Sequence, residues 1–180
     1  MPIKQTIRTK RLILEPIKKK YFQRMYELIK EDNKEISKWH PIAYPVQKKK
    51  INEYYKKAMK DKNNCQFVIK DKKRKEVMGC LGLVKEEINK SATIGYWIGR
   101  EYRKKGYMTE ATQAVINFCF AKWNVMRIEI RAEERNIPSQ KVIEKCGFIY
   151  EGTKRMAAYN GLKEYGNSKM YSIIRSEWKR

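Results

Sequence analysis

The sequence predicts an α/β fold, and three observations carry that reading. The middle of the chain holds three period-two apolar stretches separated by polar turns, the pattern of an antiparallel meander. The second half then alternates strand, helix, strand and helix, which implies a crossover packed on the sheet. No repeat and no Pro/Gly/Ser-rich linker interrupts the 180 residues, so positions 1–180 are expected to form one domain.

The elements follow in order. Arg11-Leu12-Ile13-Leu14-Glu15 alternates and stops at Pro16, consistent with a strand. Phe22, Met25, Tyr26 and Ile29 recur at helical spacing, as do Ile51, Tyr54, Tyr55 and Ala58 after Pro45. Trp39-His40-Pro41 between them reads as loop. Gln66–Ile69, Val77–Val84 and Thr93–Ile98 form the meander, with Gly79 and Gly82 marking a bulge or close packing. Thr109–Lys122 is a helix with Ala111, Ala114, Val115, Phe118 and Cys119 on one face, and Arg127–Arg131 alternates strictly as a strand. A short helix over Ser139–Lys145 stops at Gly147, and Phe148–Glu151 and Lys169–Ile174 supply two final strands.

Composition excludes several classes of protein. Four Trp and 12 Tyr among 42% hydrophobic residues argue against a disordered chain. No apolar run approaches the roughly 18 residues of a membrane span, and the charged first thirty residues do not read as a signal peptide. Cys65, Cys80, Cys119 and Cys146 lie far apart in apolar stretches, with one histidine in the chain, so no metal site and no disulfide is expected. These features point to a cytoplasmic protein in a reducing compartment. The formal charge of +22 would draw it toward RNA or the ribosome, although scattered lysines on a solvated surface give the same total.

Chemistry concentrates in Ile98-Gly99-Arg100-Glu101-Tyr102-Arg103-Lys104-Lys105-Gly106-Tyr107-Met108-Thr109-Glu110-Ala111, where a strand ends, a basic loop follows and a helix opens. Unpaired N–H groups at a helix start, reinforced by its dipole, make an anion site. Gly106 allows close approach, Arg103, Lys104 and Lys105 add attraction, and a pyrophosphate is the natural guest.

Together with Ile94-Gly95-Tyr96-Trp97 and Asn136-Ile137-Pro138-Ser139-Gln140-Lys141-Val142-Ile143-Glu144-Lys145-Cys146-Gly147-Phe148, this segment resembles the GNAT acyltransferase superfamily. Within it the chain is most similar to the branch of ribosomal-protein N-terminal acetyltransferases. Thr9-Lys10-Arg11-Leu12-Ile13-Leu14 at the start and Arg175-Ser176-Glu177-Trp178 at the end extend the likeness over nearly the whole length. The resemblance implies a mixed, mostly antiparallel sheet of about seven strands flanked by about four helices. Its fourth and fifth strands open into a V that admits acetyl-CoA.

On that likeness, the backbone of Arg103, Lys104, Lys105, Gly106, Tyr107, Met108 and Thr109 holds the pyrophosphate. Met108 stands where the family has a small residue. Backbone groups of Trp97 and Ile98 pair with the pantetheine arm, and Asn136 bonds it from the opposite lip. Ser139 is either the acid that protonates the leaving thiolate or the N-cap of its helix. The family's usual tyrosine on that helix corresponds to Ile143. The general base is unassigned: the family's carboxylates are replaced by Thr93 and Ala158, leaving Glu86, Glu87, Glu133, Glu134, Glu151 and His40 as candidates. Trp39, Tyr44 and Tyr159 are expected to line the acceptor pocket or a satellite core.

The activity implied is acetyl transfer from acetyl-CoA to a primary amine, by direct attack in a ternary complex. The favoured acceptor is a protein N-terminus, and the alternatives are a small amine (polyamine, aminoglycoside or amino-acid conjugate) or a non-catalytic acyl-CoA- or RNA-binding module. Ribosome or RNA association and a homodimer stay open, and no membrane partner is expected.

Overall fold

A computed structural model gives the fold and describes residues 5–178. The strands are β1 (Ile7–Arg8), β2 (Leu12–Pro16), β3 (Asn64–Asp71), β4 (Val77–Glu86), β5 (Ser91–Ile98), β6 (Arg127–Glu133), β7 (Ile149–Tyr159) and β8 (Tyr165–Ile174). The helices are α1 (Phe22–Glu31), α2 (Asn33–Trp39), α3 (Lys48–Lys60), α4 (Tyr107–Lys122) and α5 (Ile137–Lys145). All eight strands join one sheet in the order β1-β2-β3-β4-β5-β6-β8-β7.

Helices cover both faces of the sheet, which is why Phe67, Val68 and Ile69 are all fully buried instead of alternating. On one face, Tyr55 of α3 accepts a hydrogen bond from the indole N–H of Trp97 on β5 at 3.2 Å. On the other, α4 lays Ala111, Val115, Ile116 and Cys119 into the core, and α5 adds Ile143. The cysteines are buried thiols, and burial pushes those of Cys80 and Cys146 up to about 12.

The α/β class and its antiparallel meander appear as expected, with three differences in count and extent. β1 is a two-residue pairing of Ile7 and Arg8 with Leu14 and Ile13, too short to leave a periodic signal. α2 buries Ile36 as its one large apolar side chain, so its seven residues carry no amphipathic stripe, and Trp39 ends a helix instead of lying in a loop. β7 runs on to Tyr159 as an edge strand whose residues are nearly all exposed, so no alternation announces it.

The sheet opens in the middle. Every neighbouring pair is antiparallel except β5 and β6, whose parallel register runs from Ser91↔Arg127 to Ile94↔Ile130 and then stops. Gly95–Ile98 and the end of β6 therefore diverge without pairing to each other. This is the V expected from the resemblance, between the fifth and sixth strands because β1 shifts the count.

Candidate active site

The anion loop lies at the end of β5. Gly99 closes the strand by donating to the Met78 carbonyl at 2.9 Å, and a short turn over Arg100–Tyr102 leads into the basic stretch. Lys104 and Gly106 both take left-handed backbone, with φ of 59° and 75°. Gly106 needs no Cβ accommodation there, whereas most residues are strained in that region. α4 starts at Tyr107 with no side chain capping it, and the Glu110 N–H bonds back to the Gly106 carbonyl at 3.1 Å. The N–H groups of Tyr107, Met108 and Thr109 consequently have no partner within the helix.

Met108 packs its side chain inward at 6% exposure. Replacing a small residue there leaves the backbone donors free, because the extra bulk joins the core. Lys104 and Lys105 are exposed, but Arg103 turns elsewhere. Its guanidinium meets Asp32 at 2.6 Å and donates to the Ile98 carbonyl at 3.3 Å, tying the loop to the α1–α2 junction. Its charge is thus largely committed within the protein, and what it offers a ligand is mainly its backbone.

The register decides which peptide groups face the opening. Gly99 and Met78 form a hydrogen-bonded pair across β4 and β5, so the next such pair is Trp97 with Cys80. Trp97 directs its peptide groups to β4, and those of Tyr96 and Ile98 point into the V. Of the two positions expected to meet a pantetheine arm, Ile98 has its N–H facing the V and Trp97 has its peptide groups facing β4.

Across the opening, Asn136 caps α5 by accepting from the Ser139 N–H at 3.2 Å. Ser139 is therefore the third residue of the helix and not its cap, and its hydroxyl is released for other work. That hydroxyl lies 3.1 Å from the Tyr96 phenol oxygen, which also donates to the Ser139 carbonyl at 3.3 Å. Burial holds the Tyr96 phenol well above its ordinary value, so it stays protonated at neutral pH.

The candidate bases sort by their partners. Glu86 closes a turn by accepting from the Ile88 and Asn89 N–H groups, and Glu87 pairs with Lys85 at 2.8 Å. Glu134 accepts from Asn167 at 2.8 Å. The Arg127 guanidinium, helped by the Ser172 hydroxyl, holds Glu151 at about 2, too weak a base for an amine proton. Glu133 differs: it ends β6 beside the α5 start, its side chain is 6% exposed, and it meets Arg135 at 3.0 Å with one carboxylate oxygen. The other oxygen is buried without a partner among the described residues.

His40 is corrected by its surroundings. Its Nδ1 is buried without a partner, and desolvation pushes the ring down to about 4, well below the free-histidine value that made it a plausible base. Its proton NMR resonances should stay flat between pH 8 and 6 and move with a midpoint near 4. The sign follows from linkage: its contribution to stability is complete above the unfolded value of about 6.5 and is lost as pH falls toward 4. A midpoint above 6 would return it to the list of bases.

Trp39, Tyr44 and Tyr159 come to one region because the β7–β8 hairpin tip docks on the α2–α3 loop. Gly161 at the tip donates to the Ser37 and His40 carbonyls at 2.8 and 3.0 Å, and Tyr44 donates to Gly161 at 3.1 Å. Asn33 fixes the loop from beneath, accepting from the Val46 N–H at 2.6 Å. Tyr44 and Tyr159 are each about half exposed, and Tyr159 packs on Tyr165 with ring centroids 4.9 Å apart. The Trp39 indole donates to Glu35 at 3.0 Å. A Cβ on Gly161 would lie 1.7 Å from the Ile42 carbonyl oxygen, so no other residue fits this contact. Gly161→Ala should lower the melting temperature by roughly 5 °C through a forced separation of hairpin and loop. An unchanged melting curve would show that the docking is not held in solution.

Residues 11–149 match the family described as the acetyltransferase (GNAT) domain. This chain belongs to the GNAT acetyltransferase family. Bacillus subtilis YdaF, provisionally named a ribosomal N-acetyltransferase, is 29% identical over 174 residues, spanning 92% of this chain and 91% of that protein. The Escherichia coli ribosomal-protein-serine acetyltransferase is 31% identical over 88 residues, 48% of this chain and 49% of its own. Among solved structures, a GNAT acetyltransferase from Bacillus anthracis superposes with a TM-score of 0.84 at 24% identity, covering 96% of this chain and all of that one.

Two features of this GNAT enzyme were not assigned a role from sequence. Tyr96 belongs to the Ile94–Trp97 segment that carries part of the resemblance, yet only the fold shows its phenol reaching Ser139. Thr9 and Arg11, 92 or more positions before the loop, contact it through Lys105, Tyr107 and Glu110. A contact so distant along the chain leaves no local signal.

Proposed function

We propose that this chain transfers an acetyl group from acetyl-CoA to a primary amine, and that the amine is a protein N-terminus of the ribosomal class. The carrying observation is the V between β5 and β6 with the uncapped start of α4 at its end. A donor-rich helix start suits a diphosphate, and the Ile98 N–H with the Tyr96 carbonyl, both facing the V, suit an extended amide-bearing arm. Bound there, acetyl-CoA supplies a thioester as the acyl donor.

The chain's own groups then divide the remaining work. The Tyr96 N–H, further into the V than Ile98, would donate to the carbonyl oxygen as negative charge gathers on it. The Ser139 hydroxyl, held 3.1 Å from the Tyr96 oxygen at the lip of the V, would turn its proton to the departing sulfur. Asn136 holds the α5 start from the opposite lip. Glu133, with a buried free oxygen at the end of β6, is the carboxylate best suited to take the amine's proton. The hairpin and α2–α3 loop, carrying Tyr44 and Tyr159, form the rim over which an acceptor would approach.

The name of YdaF and that of the Escherichia coli relative support a ribosomal acceptor. Incubation with acetyl-CoA and ribosomal proteins, with CoA release followed and N-termini read by mass spectrometry, tests the assignment. Acetylated N-termini are expected. Turnover confined to small amines would reject the protein acceptor, and tight binding without any turnover would reject catalysis.

A further inference from the structure

Arg11 lies just before β2, far from the loop in sequence and next to it in space. Its Nε pairs with the Glu110 carboxylate at 2.6 Å, and its backbone N–H donates to the same carboxylate at 2.9 Å. Thr9 adds a hydroxyl donor to Glu110, also at 2.6 Å. The guanidinium stacks over the Tyr107 ring, 4.6 Å from its centroid. Most telling, Nη1 donates to the Lys105 carbonyl at 2.9 Å.

We propose that Arg11 is a positioning residue that fixes the Lys105–Gly106 peptide so that the Gly106 N–H faces the diphosphate. This rests on the cofactor reading above. The peptide is planar and trans, so its carbonyl and N–H point in opposite directions. Holding the Lys105 carbonyl toward Arg11 turns the Gly106 N–H the other way. The loop takes left-handed backbone at Lys104 and again at Gly106, a conformation unfavourable for lysine, so a contact that anchors the stretch between them helps to hold it. The same side chain offsets Glu110, a carboxylate one turn into the helix that would otherwise repel an anion at the helix start.

The planar fork matters for both tasks. Arg11 reaches Glu110 and the Lys105 carbonyl from different nitrogens at once. A lysine ammonium at the end of a flexible stem has no such fork.

Calorimetric titration of the full chain with acetyl-CoA tests this. Arg11→Ala should raise the Kd by about tenfold or more, the scale of a lost charge-assisted hydrogen bond network, with kcat at saturating donor little changed. Arg11→Lys should remain weakened while keeping the charge, and it serves as the readout if the alanine variant does not fold. Arg11→Ala combined with Glu110→Gln should also remain weak. Recovery of affinity in that double variant would place the effect on charge alone and overturn the peptide-orienting role, as would a wild-type Kd in Arg11→Ala. Failure of the wild-type chain to bind acetyl-CoA would instead sink the cofactor reading itself.

Discussion

Gly106→Val is expected to raise the acetyl-CoA KM by about tenfold or more while the sheet stays folded. Two effects act in the same direction. Gly106 has φ of 75°, where a β-branched residue is strained by roughly 1–3 kcal/mol, so valine would pull the loop out of its conformation. Its Cβ would only touch the Arg11 guanidinium, at 3.4 Å, but the two methyls beyond it would crowd the group that orients the preceding peptide. Since about 1.4 kcal/mol is a factor of ten, backbone strain alone accounts for the predicted change. Gly106→Ala should fall between, because a single methyl tolerates the left-handed region better than a branched side chain. Unchanged kinetics in Gly106→Val would mean that the diphosphate is held elsewhere.

The second large effect belongs to the Ser139–Tyr96 pair. Ser139→Ala should lower kcat by about a hundredfold, the lower end of what a positioned acid contributes, with little change in donor KM. Its melting temperature should hold, because Asn136 and not Ser139 caps α5. Tyr96→Phe should cost less, since it removes only the hydroxyl that holds Ser139 in place. The double variant should be no slower than Ser139→Ala, as expected for two groups acting through one hydrogen bond. A loss of stability without loss of kcat in Ser139→Ala would assign the residue to structure.

What the sequence disclosed depended on whether the signal was local. The meander, α4 and the loop at 103–109 were legible because period, glycine placement and charge lie within a few residues of one another. The opening of the V was legible only through resemblance. Its physical cause is the end of pairing at Ile94 and Ile130, a register fact that no single strand carries.

The site residues divide in the same way. Arg103 reads as a ligand-facing cation because it belongs to a basic run, but its partner Asp32 lies 71 positions earlier and claims the charge. Ser139 was ambiguous between acid and cap because both roles suit a serine after proline. The cap role is removed by the Asn136 side chain, one bond that only the folded helix shows. His40 looked useful at its ordinary proton affinity, and burial removes that use. Glu133 could not be separated from four other glutamates until each one's partners were known.

The most direct test is a crystal structure of the chain with bound CoA. The diphosphate oxygens should lie within about 3.2 Å of backbone nitrogens between Gly106 and Thr109, with the arm running between the diverging ends of β5 and β6. A diphosphate bound away from the start of α4, or an arm that bypasses that opening, would contradict the account.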